Sequence, residues 1–486
     1  MKNPRLLAST ALLFLTALTA CGSSADHPEE PLGEASFAVT TVPATVQCIE
    51  LTVTGATTVS KSLAVTPGAS SATLSLGELP LGPATVTGQA FNVACASIAS
   101  ASPSYIADPL SVTLRAGVVS SLPLTFRPDN GVAATASFVG DVTDFSLSAF
   151  ASYFVMSDGT VQSAGYEGYG TASASLAPLA GFTGVTQMAG GLEFACAVTT
   201  AGSVYCAGAN GSGQLGNGTT TSTTAPVQVT GITSAVHVTA GQNHACALEK
   251  TGAVYCWGDN SFGELGNNTT TSSSTPVLVG LDQPITSLTA GDAFTCAPGG
   301  QGAVLCWGQN TAGQLGNGTT TNSALPVVVG PASSPLDATI AVAAGGSTAC
   351  ALRADGTVRC WGQNTNGELG NGTTTSSSAP VVVNVSGVTQ IAASSDAVCA
   401  LGASSVSCWG NNASGELGNG TGVSSSVPVT VAALAGAPIA LRSGGTAWGF
   451  CAQTPALTVD CWGFNQDGQF GNGTSSSAFT PTLVQQ

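Results

Sequence analysis

Charge is what this chain has least of. Only 7% of its 486 residues are charged, and nine basic residues stand against 25 acidic ones. A chain of net charge −16 with so few cations cannot neutralise a run of phosphates, which excludes nucleic acid as a partner. Lys, Glu and Gln, the straight-chain helix formers, are scarce, and aromatic residues make up 6%. With 62 glycines and plentiful Ser and Thr, the composition predicts strands and tight turns, an all-β protein. There are three histidines and no Cys-x-x-Cys, so no zinc site is expected. No nucleophile elbow, phosphate loop or His-Glu metal motif occurs, so no catalytic residue, metal or cofactor is assigned. The chain is too long for one ordinary core, and two or more units are expected.

No apolar run is long enough to span a bilayer comfortably, but one shorter run is informative. Lys2 and Arg5 precede the apolar segment Leu6–Ala17, which ends in Leu18-Thr19-Ala20-Cys21. This pattern reads as an export signal over 1–20 and resembles the bacterial lipobox, in which the signal is cut before the cysteine and the cysteine is acylated. The resemblance implies a lipid anchor on Cys21 and residence in the bacterial cell envelope, at the outer membrane or cell surface, outside the cytoplasm. Residues 21–36, with Asp26, Glu29, Glu30, Glu34 and several prolines, read as a tether.

Fifteen cysteines less Cys21 leave fourteen, and by position they form seven pairs. These are Cys48 and Cys95, Cys196 and Cys206, Cys246 and Cys256, Cys296 and Cys306, Cys350 and Cys360, Cys399 and Cys408, and Cys451 and Cys461. An exported chain matures where disulfides form. The last six pairs each flank a short turn, as in Cys246-Ala247-Leu248, Gly252, Val254-Tyr255-Cys256-Trp257. In an antiparallel hairpin of that length the two cysteines face each other within bridging range. Each closed loop contributes roughly 2.5–3 kcal/mol by the chain-entropy model.

The same unit recurs with its first cysteine at 196, 246, 296, 350, 399 and 451, in steps of 49 to 54 residues. A cysteine-free copy precedes them: Tyr153 aligns with Cys350, Asp158-Gly159-Thr160-Val161 with Asp355-Gly356-Thr357-Val358, and Ser163 with Cys360. Seven copies with about four short strands each predict a seven-bladed β-propeller over 132–486. Trp257, Trp307, Trp361, Trp409 and Trp462 each follow a second cysteine, so Trp and disulfide should face opposite neighbours. The final Pro481-Thr482-Leu483-Val484 matches only the first strand of a further unit, and is expected to pair with strands near 138–165 and close the ring. The recurring Ala-Gly-x-x-His-x-x-Ala-Leu, Gly-x-Val, Trp-Gly-x-Asn and Gly-Glu/Gln-Leu-Gly elements resemble the repeat of the regulator of chromosome condensation family, over roughly 137–486. That resemblance implies a seven-bladed propeller acting largely by protein contact. Asn217, Asn268, Asn317, Asn371, Asn419 and Asn472 match a glycosylation sequon but read as turn residues.

Residues 37–128 alternate with period two, as in Leu51 and Val53 or Leu122, Leu124 and Phe126, and predict a small β-sandwich stapled by Cys48–Cys95. Within it Gly77-Glu78-Leu79-Pro80-Leu81-Gly82-Pro83-Ala84-Thr85-Val86 resembles the transthyretin-like sandwiches of bacterial surface proteins, which implies a transthyretin-like or immunoglobulin-like unit. Among polar residues, His244 takes the place of Phe194 and Phe294 and reads as a packed side chain, whereas His237, aligned with Ser287, is expected at the surface. Glu264, Glu368 and Glu416 exchange with Gln214, Gln314 and Gln469, which argues against acid–base work there. Asp292, Asp337, Arg353, Arg359, Asp396, Arg442 and Asp460 break the repeat but do not group by sequence. The reading that results is a monomeric binding scaffold, anchored outside the cytoplasm and not an enzyme, that holds a protein or glycan at one propeller face. The alternatives are a surface polysaccharide hydrolase or lyase and a purely structural envelope protein.

Overall fold

The structure, a computed structural model, describes residues 33–39, 46–54, 58–66, 72–79, 82–100, 105–114, 119–123, 126–128 and 142–484, the last apart from 167–171, 301, 332–335, 435 and 456–457. The signal at 1–20, Cys21 and the tether as far as residue 32 lie outside them. The described residues form strands throughout, with one 3-10 turn at Cys95–Ser100.

From residue 142 onward the chain makes seven four-stranded sheets, here blades 1 to 7, each an antiparallel meander in chain order. Blade 3 is typical: Ala235–Ala240, His244–Glu249, Val254–Gly258 and Ser273–Leu278. The first strand of each blade lies beside the first strands of its neighbours, around a central channel. The second and third strands are apolar without alternation because a neighbouring blade covers each face. Their cysteines are direct cross-strand partners, as Cys246 is to Cys256, and the six hairpin pairs stand at disulfide distance with Cα atoms 4.0–4.1 Å apart. In blade 1 the same register pairs Tyr153 with Ser163, as the repeat alignment predicts.

Ring closure differs from the expectation. Leu483 pairs with Asp460 and Thr482 with Cys461, so Ala478–Leu483 is the outermost strand of blade 7 and does not cross to residues 138–165. The reason lies in the phase of the repeat. The long loop after each third strand brings the chain back along that strand, so every Pro-Val run finishes its own blade. Closure comes from packing of faces instead. Phe145 and Phe154 of blade 1 share a buried cluster with Cys451, Phe470 and Val484 of blade 7. The Gly473 amide donates to the Ala174 carbonyl at 2.8 Å, and Gln453 Nε2 donates to the Val142 carbonyl at 2.8 Å.

Residues 33–128 form two further sheets. One has three strands in the order Ala72–Leu79, Gly33–Val39, Val119–Pro123, and the other has five, Thr58–Ala64, Cys48–Thr54, Gly82–Phe91, Tyr105–Leu114 and Phe126–Pro128. The first strand starts at Gly33, inside the segment assigned to the tether, because it is hydrogen-bonded on both sides, in parallel to Val119–Pro123. Cys48 and Cys95 stand at disulfide distance and join a central strand to the 3-10 turn.

Candidate functional site

The inner strands present one row of side chains to the channel, and this row both holds the ring and breaks its symmetry. An inner strand has no fifth strand to pair with, so its backbone groups need other partners. Gln187 supplies them between blades 2 and 3: Nε2 donates to the Val238 carbonyl at 3.0 Å and Oε1 accepts from the Val238 amide at 2.8 Å. Gln390 does the same between blades 6 and 7 with Ile439 and Leu441. Thr289 Oγ1 accepts from the Ala344 amide. His237 occupies the register of Gln187 but bridges nothing, and its Nδ1 is buried without a partner. It lines the channel, contrary to the surface position expected from sequence, because this register faces inward here, as it does at Asp144 of blade 1 and Gln187 of blade 2. Burial, then the nearby Arg442 charge, pushes its pKa down to about 4. Arg442 stands where the other blades carry Ser146, Ala189, Thr239, Thr289, Ala343 and Ala392. Its Nε lies 3.8 Å from Asp144, whose pKa burial raises and Arg442 pulls back.

One end of the channel is sealed. The first loops of the blades interlock by backbone bonds: Leu192 N to Gln242 O, Gln242 N to Asp292 O, Asp292 N to Gly346 O and Gly346 N to Gly445 O. The blade 7 loop crosses the opening. Thr446 Oγ1 donates to the Gly191 carbonyl at 3.3 Å, and the Ser395 amide donates to the Ala447 carbonyl at 2.7 Å. Gly444 and Gly445 make this crossing possible, since a Cβ on either would overlap the carbonyl of Leu147 or of Ala290.

The outer side of this sealed end, the loop face, collects several residues that the sequence left scattered. Asp292 and Asp396 are close enough for the charge of Asp396 to add to the burial that lifts Asp292 to about 6. Burial, with Glu368 nearby, raises Asp396, which accepts a hydrogen bond from Asn411 Nδ2. Burial raises Glu416 to about 7, helped by Asp396. Asp292, Asp396 and Glu416 each keep one buried carboxylate oxygen without a partner. The blade 7 loop reaches this group through the Ala447 carbonyl, which accepts from the Ser395 amide next to Asp396; the following residue, Trp448, is 43% exposed and packs on Phe464, with ring centres 6.3 Å apart. Sequence reasoning missed Trp448; the available signal was that it is the one Trp not preceded by a repeat cysteine.

The other residues singled out have structural work. His244 is buried and its Nε2 lies 3.0 Å from Thr295 Oγ1, in the aromatic slot the sequence assigned it. Side-chain oxygens of Glu264, Glu368 and Glu416 accept the amide two residues back, as Gln214, Gln314 and Gln469 do, which is why acid and amide interchange. Asn217 Oδ1 accepts from Thr219 N in the expected turn, as its counterparts do. In blade 3 Asn267 makes that turn and Asn268 takes the glycine position at φ 65°. Arg353 is paired with Asp337 and Asp355 at the opposite end of the propeller. Arg359 and Asp460 sit on third strands of blades 5 and 7. Among the described residues no group of three or more His, Cys, Asp or Glu could hold a metal.

Seven four-stranded sheets stacked about a channel define a β-propeller. The RCC1-like domain family matches residues 153–486, and the chain belongs to that family. Among solved structures it is similar to human WBSCR16, at 24% identity over 65% of this chain and 85% of that one, with a TM-score of 0.58. It is also similar to yeast RCC1 (Prp20) in complex with Kap60, at 19% identity over 65% and 79%, TM-score 0.57. Saccharomyces cerevisiae Prp20p alone gives 20% identity over 62% and 76%, TM-score 0.55. No curated protein matches the chain.

Proposed function

We propose that this protein is a lipid-anchored, extracytoplasmic scaffold whose RCC1-like propeller holds a protein partner on its loop face. The carrying observation is Trp448. Five of the six tryptophans are fully buried between blades, and the sixth is exposed on the blade 7 loop, one residue beyond the Ala447 carbonyl that bonds the amide preceding Asp396. An exposed Trp on an otherwise polar face is a common anchor of a protein interface. The acidic surroundings select a partner with a basic rim. The structure of yeast Prp20p was described with its binding properties to Gsp1p and histones, so the family fold is compatible with such use. Export is supported by Leu18-Thr19-Ala20-Cys21 and by fourteen cysteines in seven pairs at bonding distance.

The test is capture from surface-labelled cells with the mature chain and its Trp448→Ala variant as parallel baits. Loss of this exposed aromatic anchor should weaken capture of the specific partner by about 30-fold without moving the melting temperature. Equal recovery by both baits would refute this use of the face. Mass spectrometry of the native protein should find an acylated Cys21 and no free thiol. A second reading, polysaccharide hydrolysis, is favoured by one observation, the mutually repelling Asp292 and Asp396. It requires that Asp292→Asn abolish a measurable glycan cleavage by the wild type.

A further inference from the structure

We propose that the blind central channel is a binding site for a small carboxylate, held by the guanidinium of Arg442 and the imidazole of His237. The site is independent of the loop face, which lies beyond the sealed end.

The channel encloses about 330 Å³ and receives side chains from the inner strands of all seven blades. That volume suits a small organic acid. The blade 7 loop closes one end, and entry is from the other. At that end the second residue of each inner strand or its equivalent is exposed: Thr143, Thr186, Val236, Thr286, Ile340, Thr389 and Ile439.

Most polar groups in the channel are already used. Gln187, Gln390 and Thr289 are occupied in joining blades, and Ser146 Oγ accepts from the Gly190 amide. Arg442 and His237 are the two nitrogen-bearing side chains in the lining that join no blades. Residues 142–486 contain four cations, Lys250, Arg353, Arg359 and Arg442, and the only one in the channel is Arg442, at a register where six blades carry small side chains. Its contacts are loose for a guanidinium, 3.8 Å to Asp144 and 3.2 Å to its neighbour's carbonyl at Leu441. Nearly half of its side chain stays exposed to the channel. Nδ1 of His237 has no partner. A loosely held guanidinium that lines the cavity, and beside the cavity an imidazole whose buried Nδ1 has no partner, are what a carboxylate would satisfy: one oxygen meets Arg442 and, with a turn of the His237 ring toward the channel, the other meets its protonated nitrogen.

The titratable groups that face the cavity are Asp144, His237 and Arg442. Asp144 competes with the ligand for Arg442 and, with its other oxygen, accepts from the Met188 amide at 3.4 Å. Asparagine at 144 keeps that acceptor and removes the competing charge. An anion beside His237 favours its protonated form, so binding should tighten as pH falls toward the range in which the occupied site takes up a proton.

The experiment is isothermal titration of the mature full chain with acetate, lactate and glucuronate, using methyl glucoside as the uncharged control, at pH 8 and pH 5.5. The expected result is one saturable site for at least one acid, tighter at pH 5.5, and none for the control. Arg442→Gln should weaken it by about tenfold or more, the cost of one charge-assisted contact, and Arg442→Lys should restore part of the loss. Asp144→Asn should tighten it several-fold, a gain that general surface association of anions would not reproduce. His237→Gln should flatten the pH dependence. The proposal is overturned if none of the three acids saturates one site, or if Arg442→Gln with unchanged melting binds as well as the wild type.

Discussion

Two kinds of blade interface occur in one ring. Between blades 2 and 7 the disulfide face of each blade meets the Trp of the next: Cys196–Cys206 shares a cluster with Trp257, Cys246–Cys256 with Trp307, Cys296–Cys306 with Trp361, Cys350–Cys360 with Trp409, and Cys399–Cys408 with Trp462. Blade 1 breaks the rule on both sides. Its Tyr153 and Ser163 replace the cysteines, and the facing residue of blade 2 is Ala207 where a Trp would stand. On its other side Ala164 takes the Trp register, and Phe154 with Phe470 fills the space against Cys451–Cys461. The comparison teaches that disulfide and Trp act as complementary parts across an interface. Where the compact bridge is lost, the large tyrosine ring enters from the same side and the opposing Trp is lost with it, so the volume stays close to constant.

The largest effect expected from breaking this complementarity is at a regular interface. Trp361→Ala removes a fully buried ring and its hydrogen bond, Nε1 to the Gln314 carbonyl at 2.9 Å, and leaves a cavity against the 296–306 bridge. Chemical denaturation should show a loss of about 3–5 kcal/mol. A loss below about 1 kcal/mol would mean that the bridge and not the ring holds the interface.

Ala207→Trp sharpens the same point from the other side. It restores the common residue of the repeat, yet Tyr153 already occupies the volume, so the substitution should destabilise by about 1–3 kcal/mol. Adding Tyr153→Ala should recover part of that loss, since the two sites share one cavity and couple. If Ala207→Trp alone stabilises the protein, the volume argument fails.

Much of this complementarity is legible in the amino-acid sequence. The cysteine spacing marked the hairpins, and the alignment of Tyr153 and Ser163 with Cys350 and Cys360 found the cysteine-free blade. Alternation placed Trp and bridge on opposite faces because neighbouring residues on a strand must diverge. The phase of the repeat was not legible: a periodic sequence states which strands recur, not which one ends a sheet, so Pro481–Val484 was assigned to the wrong blade. Nor was the channel. Asp144, His237 and Arg442 come from blades 1, 3 and 7, and only the closed ring brings them together. The sealing loop depends on Gly444 and Gly445, which look like any other glycine pair in a chain with 62 of them.

The smallest effect separates blades carrying Glu from those carrying Gln in the long loop. Glu416 is fully buried and is held at about 7 mainly by burial, whereas Gln214, Gln314 and Gln469 do the same structural work uncharged. Its folded pKa lies above the ordinary value of 4.5, so its contribution is complete below about 4.5 and is lost as pH rises through about 7. Glu416→Gln keeps the acceptor for the Ser414 amide and leaves the Glu416 carbonyl in place for Trp462 Nε1. It should therefore stabilise the protein by about 1–2 kcal/mol at pH 8 and by close to nothing at pH 4.5. If the gain is the same at both pH values, the carboxylate is not what separates the two kinds of blade. If the gain follows pH as expected and partner capture falls in parallel, blade 6 retains an unfavourable buried charge because the loop face uses its field.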